Sequence, residues 1–263
     1  LANQPAAAAA GCRQSLALTP QPWLYVRGGA MLYLSLSMQV LGQGEEAERL
    51  LMAEYEGLAH KNDAYALRLL FGLAYIRFQE GQLEPANQAA HELRYQAERG
   101  LLPVSHGWAN YLVGRIAYQR NDLDLAAQRF GELVDKRYRV HAHAARNGMI
   151  GLVHIHAVTG KIDAAWQVWQ LLSHFDLDLT GHEAEETRAL RAWLHLRQGD
   201  LASAARWADA LTGPVPDRPL IWMHHPHVTK VRVLLARGAP ADLQGALEIA
   251  NGFSAVPPRT RNT

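Results

Sequence analysis

The stretch LRQGDLASAARW, from Leu196 to Trp207, decides the fold of this chain. Its Gln-Gly-Asp turn separates two segments rich in alanine and leucine, residues that lose little on entering a helix. Near-copies of the turn recur at intervals of 39, 40, 39, 39 and 39 residues, centred on Gly42, Gly81, Asn121, Gly160, Gly199 and Gly238. A fixed period in this range is typical of a solenoid built from repeated helix pairs.

Each copy of the pattern has the same physical parts. Glycine, or Asn121, ends a first helix in the left-handed conformation, which costs these residues least. Acidic residues such as Asp122 and Asp200 then suit the N-terminus of a second helix. A small residue follows, which lets the two helices approach closely: Ala47, Ala86, Ala126, Ala165, Ala204 and Ala246. Large aromatic residues one helical turn later are predicted to fill the gap to the next repeat: Phe130, Trp169 and Trp207.

The sequence therefore predicts an all-α solenoid of about six antiparallel helix pairs with a curved inner face. The first helices are predicted near residues 27–41, 64–79, 107–119, 143–158, 184–197 and 225–236. Prolines are predicted to lie between helices: Pro20, Pro22, Pro103, Pro214, Pro216 and Pro219. Residues 1–22 are expected to end a preceding repeat, residues 23–253 to form the repeat domain, and residues 254–263 to form a linker tail.

Composition excludes several classes of protein. Lys and Arg number 26 against 25 acidic residues, a net charge of +1, which is unlike a dedicated nucleic-acid surface. Cys12 is the sole cysteine, so a disulfide framework and a thiolate metal cage are excluded, and we expect a cytoplasmic protein. No apolar run approaches the roughly 20 residues that span a bilayer, so no membrane partner is predicted. Because the chain starts with Leu1, we expect it to be a piece of a longer protein.

The pattern small-Gly-Asp-Leu-x-x-Ala-x-x-x-aromatic resembles the tetratricopeptide repeat, although the spacing is longer than the 34 residues of that family. The drawn-out form, as in ALRAWLHLRQGDLASAARWADAL from Ala189 to Leu211 and HVTKVRVLLARG from His227 to Gly238, looks like the repeat region of MalT-type regulators. The resemblance extends from about Trp23 to Phe253. It implies a right-handed superhelix of tetratricopeptide type.

The resemblance also implies a role. MalT-type regulators are large ATP-dependent bacterial transcription activators that end in a LuxR-type helix-turn-helix, and their repeat region senses an inducer and favours a multimerising form. This chain has no Gly-x-x-x-x-Gly-Lys-[Ser/Thr] phosphate loop and no recognisable helix-turn-helix after Pro258. No cofactor is therefore expected here, and ATP and DNA binding are expected only in modules upstream and downstream.

Histidines and acids raise the alternatives of a metal protein or an enzyme. The pairs His141/His143 and His154/His156 have i, i+2 spacing, which diverges on a helix, whereas helical ligand pairs need i, i+3 or i, i+4. His224, His225 and His227 could converge around Pro226, but no carboxylate or cysteine lies beside them in the sequence. The acids Glu183, Glu185 and Glu186 suit a helix start. No nucleophile elbow is present, so the sequence predicts neither an enzyme nor a metal site.

The inner face of the first helices is the predicted binding surface. Counting back from each turn in helical steps selects a mixture of flat aromatic and polar residues, as a sugar or a peptide ligand requires. The selected residues are Arg68, Tyr75, Trp108, Tyr111, Arg115, Tyr118, Asn147, His154, Trp193 and His225, with Glu186 and Arg232 at equivalent positions. The alternative is that the aromatic residues pack between repeats and the charged residues are solvated.

Two functions follow from these observations. The first is the sensing arm of a MalT-like regulator, which binds a small inducer or a regulatory protein on its inner face. The second is a free-standing adaptor of tetratricopeptide type that binds a peptide or protein partner. Oligomerisation is expected of the parent regulator under the first hypothesis.

Overall fold

All regular structure in the described residues is helical. The computed structural model describes residues 4–58, 63–215 and 222–254, which contain thirteen α-helices and no strand. The prediction of an all-α helical-repeat fold is therefore confirmed. The chain divides into two compact units, residues 1–145 and 146–263.

Unit 1 starts with a single helix, followed by three helix pairs. Its helices are α1 (Pro5–Leu18), α2 (Leu24–Val40), α3 (Gly44–Glu56), α4 (Ala64–Gln79), α5 (Leu83–Arg99), α6 (Pro103–Gln119) and α7 (Leu123–Asp135). The two helices of each pair pack together, and each first helix also contacts the first helix of the next pair, so that α2, α4 and α6 are neighbours. Three successive first helices thus form one layer in unit 1.

Unit 2 continues the alternation of first and second helices. It contains α8 (Ala142–Val158), which begins at the end of unit 1, α9 (Ile162–Thr180), α10 (Glu185–Arg197), α11 (Leu201–Ala210), α12 (Pro226–Arg237) and α13 (Pro240–Ser254). The pairs α10/α11 and α12/α13 pack internally, and α12 contacts both α10 and α11.

The turn between the helices of each pair has the predicted left-handed backbone. Positive φ angles between 61° and 83° occur at Gly42, Gly81, Asn121, Gly160, Gly199 and Gly238. Asp122 and Asp200 follow two of these turns, and each carboxylate accepts a hydrogen bond from the backbone N–H three residues later, at 3.1 and 3.0 Å. Both predictions about the turn are confirmed.

The small residue after each turn is buried, as predicted. Ala47, Ala86, Ala126, Ala165 and Ala204 have no exposed surface, and Ala246 is 3% exposed. Phe130 is also fully buried, and a Cβ added at Gly114 would lie only 2.7 Å from its ring. Trp169 and Trp207 are only half-buried. Their indole N–H groups donate to the start of α10, to Thr187 O at 3.0 Å and Glu185 Oε1 at 2.9 Å, respectively.

The ends of the predicted first helices agree with the structure within one residue, but two starts differ by three and four residues. The helix predicted from residue 107 starts at Pro103, so the prediction that Pro103 lies between helices is wrong. Proline is well suited to the first position of a helix, where its missing N–H would have no helical partner. Pro216, Pro219 and the tail after residue 254 lie outside the described residues. Among the residues that are described, no helix is both long and apolar enough to cross a membrane.

We expect Gly160→Ala to lower the free energy of unfolding by about 1 kcal/mol, because alanine is strained in the left-handed region. An added Cβ at Gly160 meets nothing within 4 Å, so the loss would come from the backbone alone. Gly131→Ala is the matched control, since Gly131 lies inside α7 with equally open surroundings. This control should gain up to about 1 kcal/mol from helix propensity. Urea unfolding followed by circular dichroism measures both, and effects of equal sign would contradict the assigned turn.

Candidate functional site

The open surface of α2, α4 and α6 in unit 1 is the candidate site. We call it the first-helix face and define it by partly exposed residues along α4 and α6 and at the start of α2: Tyr25, Arg68, Phe71, Phe78, Trp108, Arg115 and Tyr118. On α4 and α6 these residues follow one another at intervals of three and seven positions, which keeps them on one side of a helix.

Arg68 lies at one end of this face. Its guanidinium carbon is 3.9 Å from the centroid of the Tyr25 ring, and its Nη1 donates a hydrogen bond to the Tyr25 carbonyl oxygen. An added Cβ at Gly28 would lie only 3.2 Å from Cδ of Arg68, so the glycine leaves room for the arginine side chain. The Tyr25 side chain is 68% exposed, which makes this cation–π pair accessible to a ligand.

A row of aromatic rings forms the middle of the face. The ring centroids of Phe71 and Trp108 are 4.9 Å apart, and those of Trp108 and His141 are also 4.9 Å apart. Tyr75 lies beside Phe71 at 6.2 Å, but it is only 8% exposed, and the side-chain amide of Gln79 donates to its hydroxyl at 3.2 Å. Phe71 and Trp108 are therefore the rings that offer surface to a ligand.

Arg115 lies at the other end of the face. Its guanidinium carbon is 5.2 Å from the centroid of the Phe78 ring, and its Nη1 donates to Gln119 at 3.1 Å. The Nε atom of Arg115 is buried without a hydrogen-bond partner. In the described part of the chain, neither Arg115 nor Arg68 forms an ion pair with a carboxylate.

Tyr111 does not lie on the open surface as predicted. It has no exposed area, because its ring packs inward between Trp108 and Phe130 at centroid distances of 6.1 and 6.4 Å. Burial raises the pKa of its hydroxyl. Tyr111 thus packs under Trp108 and Arg115. The helical count from the sequence placed it on the surface because it lies one turn from each of these residues on α6.

The predicted residues of unit 2 converge, but in the interior. Asn147, His154 and Trp193 are 4%, 7% and 6% exposed, respectively, so they do not line an open face. Segment 222–225 packs against them: the Asn147 side chain accepts a hydrogen bond from the Met223 N–H at 3.0 Å. Among the other predicted residues, His225 and Glu186 are half-buried and Arg232 is exposed.

A buried histidine chain joins three elements of unit 2. His154 Nε2 lies 3.0 Å from His224 Nδ1, and His224 Nε2 lies 2.9 Å from Thr229 Oγ1 on α12. The Trp193 ring lies 4.4 Å from the His154 ring. Burial, together with the nearby His154 and Arg232, holds the pKa of His224 well below its usual value. A neutral His224 donates through one ring nitrogen and accepts through the other, which matches its contacts to His154 and Thr229.

Comparison with known proteins identifies the repeat. The model of the MalT-like TPR region family matches residues 2–250. The chain belongs to this family. No curated protein sequence matches it.

Solved structures show the fold of this MalT-like repeat region. A single-substitution variant of a putative kinesin light chain with nearly identical TPR-like repeats, from Podosopora anserina, is 14% identical with a TM-score of 0.56, over 70% of this chain and 92% of the other. A second structure of that kinesin light chain is 15% identical with a TM-score of 0.49, over 90% and 98% of the two chains. The first similarity supports the helical-repeat architecture described above.

Several residues of the first-helix face and of the buried polar contacts in unit 2 were missed by the sequence prediction. Phe71 and Phe78 each lie one helical turn after a predicted residue of α4, so a count in steps of three as well as seven would have found them. Tyr25 and the buried Asp176 gave no such signal, and His224 was considered only as a metal ligand. Asp176 on α9 has no exposed surface and binds Arg146 Nε on α8 at 2.8 Å and Thr187 Oγ1 on α10 at 2.5 Å. These three partners are close only after the chain folds.

Because two histidines of unit 2 have lowered pKa values, we expect acid to destabilise this MalT-like chain. Burial and the neighbouring His227 lower the pKa of His225 to about 4, and that of His224 is also depressed. Below about pH 6.5 these two histidines bind protons in the unfolded chain but stay unprotonated in the folded chain. The free energy of unfolding therefore falls as the pH falls. Each histidine contributes a slope of up to about 1.4 kcal/mol per pH unit.

Urea unfolding between neutral pH and the acid range measures this dependence. His224→Gln removes one titrating group and should flatten the pH dependence, even if it lowers the stability at neutral pH. His174→Gln, at an exposed position of α9, is the control and should leave the slope unchanged. If both variants keep the pH dependence of the original chain, that dependence does not come from the buried histidine His224.

Proposed function

We propose that this MalT-like repeat region is the sensing arm of a transcription regulator and that it binds its effector on the first-helix face of unit 1. The family match over residues 2–250 supports the sensing role. The effector is a small inducer or a regulatory protein, and the arm acts in the cytoplasm. ATP hydrolysis, multimerisation and DNA binding are assigned to other modules of the parent protein.

One observation supports the choice of the first-helix face as the binding surface. Trp108 is half-buried against Phe71, and the face around it ends in two arginines, Arg68 and Arg115, that have no carboxylate partner in the described residues. Tryptophan and arginine are enriched among the residues that dominate binding energy at interfaces. Aromatic area combined with a few polar groups is also the usual lining of a ligand site.

The proposed mechanism involves no covalent step. An effector that binds one form of the parent regulator more tightly than another shifts the population towards that form by its difference in affinity. In unit 2 the equivalent surface of α8 and α10 is covered by segment 222–225. The Met223 N–H of this segment hydrogen-bonds to Asn147, and its His224 ring hydrogen-bonds to His154. Effector binding is therefore assigned to unit 1.

A free-standing adaptor for a polypeptide is the second candidate function. The extent of the face favours it, because partly exposed rings run from Tyr25 on α2 through Phe71 on α4 to Trp108 on α6. The genomic sequence around the coding region separates the two functions. A phosphate loop upstream and a helix-turn-helix downstream in the same reading frame would support the sensor.

The combined variant Trp108→Leu with Arg115→Ala should lose ligand binding while keeping its helical content. Thermal unfolding of the chain with a panel of oligosaccharides and short peptides gives the measurement, because a ligand that binds the folded state raises Tm. Tyr95→Leu with Arg99→Ala is the matched control: this aromatic–arginine pair lies on the second helix α5, with its guanidinium 5.5 Å from the ring centroid. Compounds that raise Tm equally in the original chain and in the first variant would contradict the proposed surface.

A further inference from the structure

Charge is segregated between the first and second helices of unit 1. Helices α2, α4 and α6 contain no aspartate or glutamate, and their charged residues are all arginines apart from His106. The second helices carry most of the acids of unit 1: five glutamates in α3, three in α5, and two aspartates with one glutamate in α7. The chain as a whole is nearly neutral, so this separation makes the first-helix face positive by comparison.

Only two of the four arginines on these first helices are available to a ligand. Arg27 donates to the carbonyl oxygens of Leu16 and Thr19 at 3.0 Å, which caps the end of α1. Arg77 pairs with Glu48 at 2.8 Å. Arg68 and Arg115 lie instead on aromatic rings.

The acids nearest to the face along α4 are already engaged by the protein. Asp63 caps α4 by accepting from the Ala66 N–H at 2.8 Å. Glu80, which follows the helix, accepts from the Gln39 amide at 3.4 Å. Neither carboxylate neutralises Arg68 or Arg115, so both guanidinium charges remain for a partner.

Helix geometry gives the spacing of the two ends of the face along the axis of α4. Arg115 lies over Phe78, and Phe78 follows Arg68 on the same helix. The ten-residue interval between them corresponds to about 15 Å at the rise of an α-helix. Phe71 and Trp108 lie between these ends and provide an apolar floor.

We infer that the first-helix face of unit 1 binds an extended acidic polypeptide segment with carboxylates at positions i and i+4 and an apolar side chain at i+2. In an extended chain, residues i, i+2 and i+4 point to the same side, and i and i+4 are about 14 Å apart. The two carboxylates reach Arg68 and Arg115, and the central side chain lies on Phe71 and Trp108. A small anion would reach only one guanidinium at a time.

This inference rests on the proposed function, which it deepens by naming the class of partner. It is tested by selecting binders of the full chain from a phage-displayed library of random peptides. The enriched peptides are then synthesised with a fluorescent label, together with versions in which glutamine replaces the acids or the two acids are adjacent. Binding is measured by fluorescence anisotropy at low and high salt.

We expect enrichment of acids four positions apart around an apolar residue, and binding that weakens with salt because the charges are partly exposed. Arg68→Gln and Arg115→Gln should each weaken binding at least about fivefold, as expected for the loss of a charged hydrogen bond. Arg99→Gln is the matched control, because Arg99 also lies over a tyrosine ring but on the second helix α5. It should leave the affinity unchanged, and circular dichroism checks the fold of each variant.

Three results would overturn the inference in distinguishable ways. Peptides that bind equally well with glutamine, but lose affinity in Trp108→Leu, would show that the face binds a partner without requiring acids, and the proposed function would stand. Displacement of the acidic peptide by inorganic phosphate or succinate at similar concentrations would indicate a small anionic effector instead. Selected peptides whose binding no substitution on the first-helix face changes would contradict the proposed function as well.

Discussion

The close approach of the two helices in each pair is the constraint on which this structure depends. A left-handed residue reverses the chain in a few positions, and an alanine a little more than one helical turn later in most repeats lets the second helix pack against the first. A larger side chain at any of these buried alanines would push the pair apart, because interiors are packed without spare volume. The apolar face that one pair leaves uncovered is then buried by the next pair, which is why the pattern repeats.

The same repeat produces two different first-helix surfaces. In unit 1 the half-buried rings of Phe71 and Trp108 stay accessible between Arg68 and Arg115. In unit 2 the corresponding positions of α8 and α10 are covered by segment 222–225, and buried hydrogen bonds replace solvent. Polar residues in equivalent places of the repeat are therefore buried and hydrogen-bonded in one unit and partly exposed in the other.

Charge segregation makes the first-helix face of unit 1 more positive than its second helices without changing the fold. Carboxylates on the second helices remain solvated or pair with basic residues of neighbouring segments, as Glu84 does with Arg120 at 2.7 Å. Their absence from α2, α4 and α6 costs the repeat nothing, because packing depends on the alanines, leucines and aromatic residues. Surface charge can thus specify a partner, while the buried pattern specifies the architecture.

The sequence by itself determined the repeat: its period, the left-handed turns at Gly160 and Asn121, the buried alanines and the ends of the first helices. Each of these depends on residues close together in the chain, so the pattern contains the necessary information. Only the tertiary structure decided which of the selected residues are exposed and which are buried. Tyr111 and His154 are buried because residues from other helices and from segment 222–225 cover them, and Asp176 acquires Arg146 and Thr187 as partners in the same way. Such contacts join residues far apart in sequence, and helical periodicity describes one helix at a time.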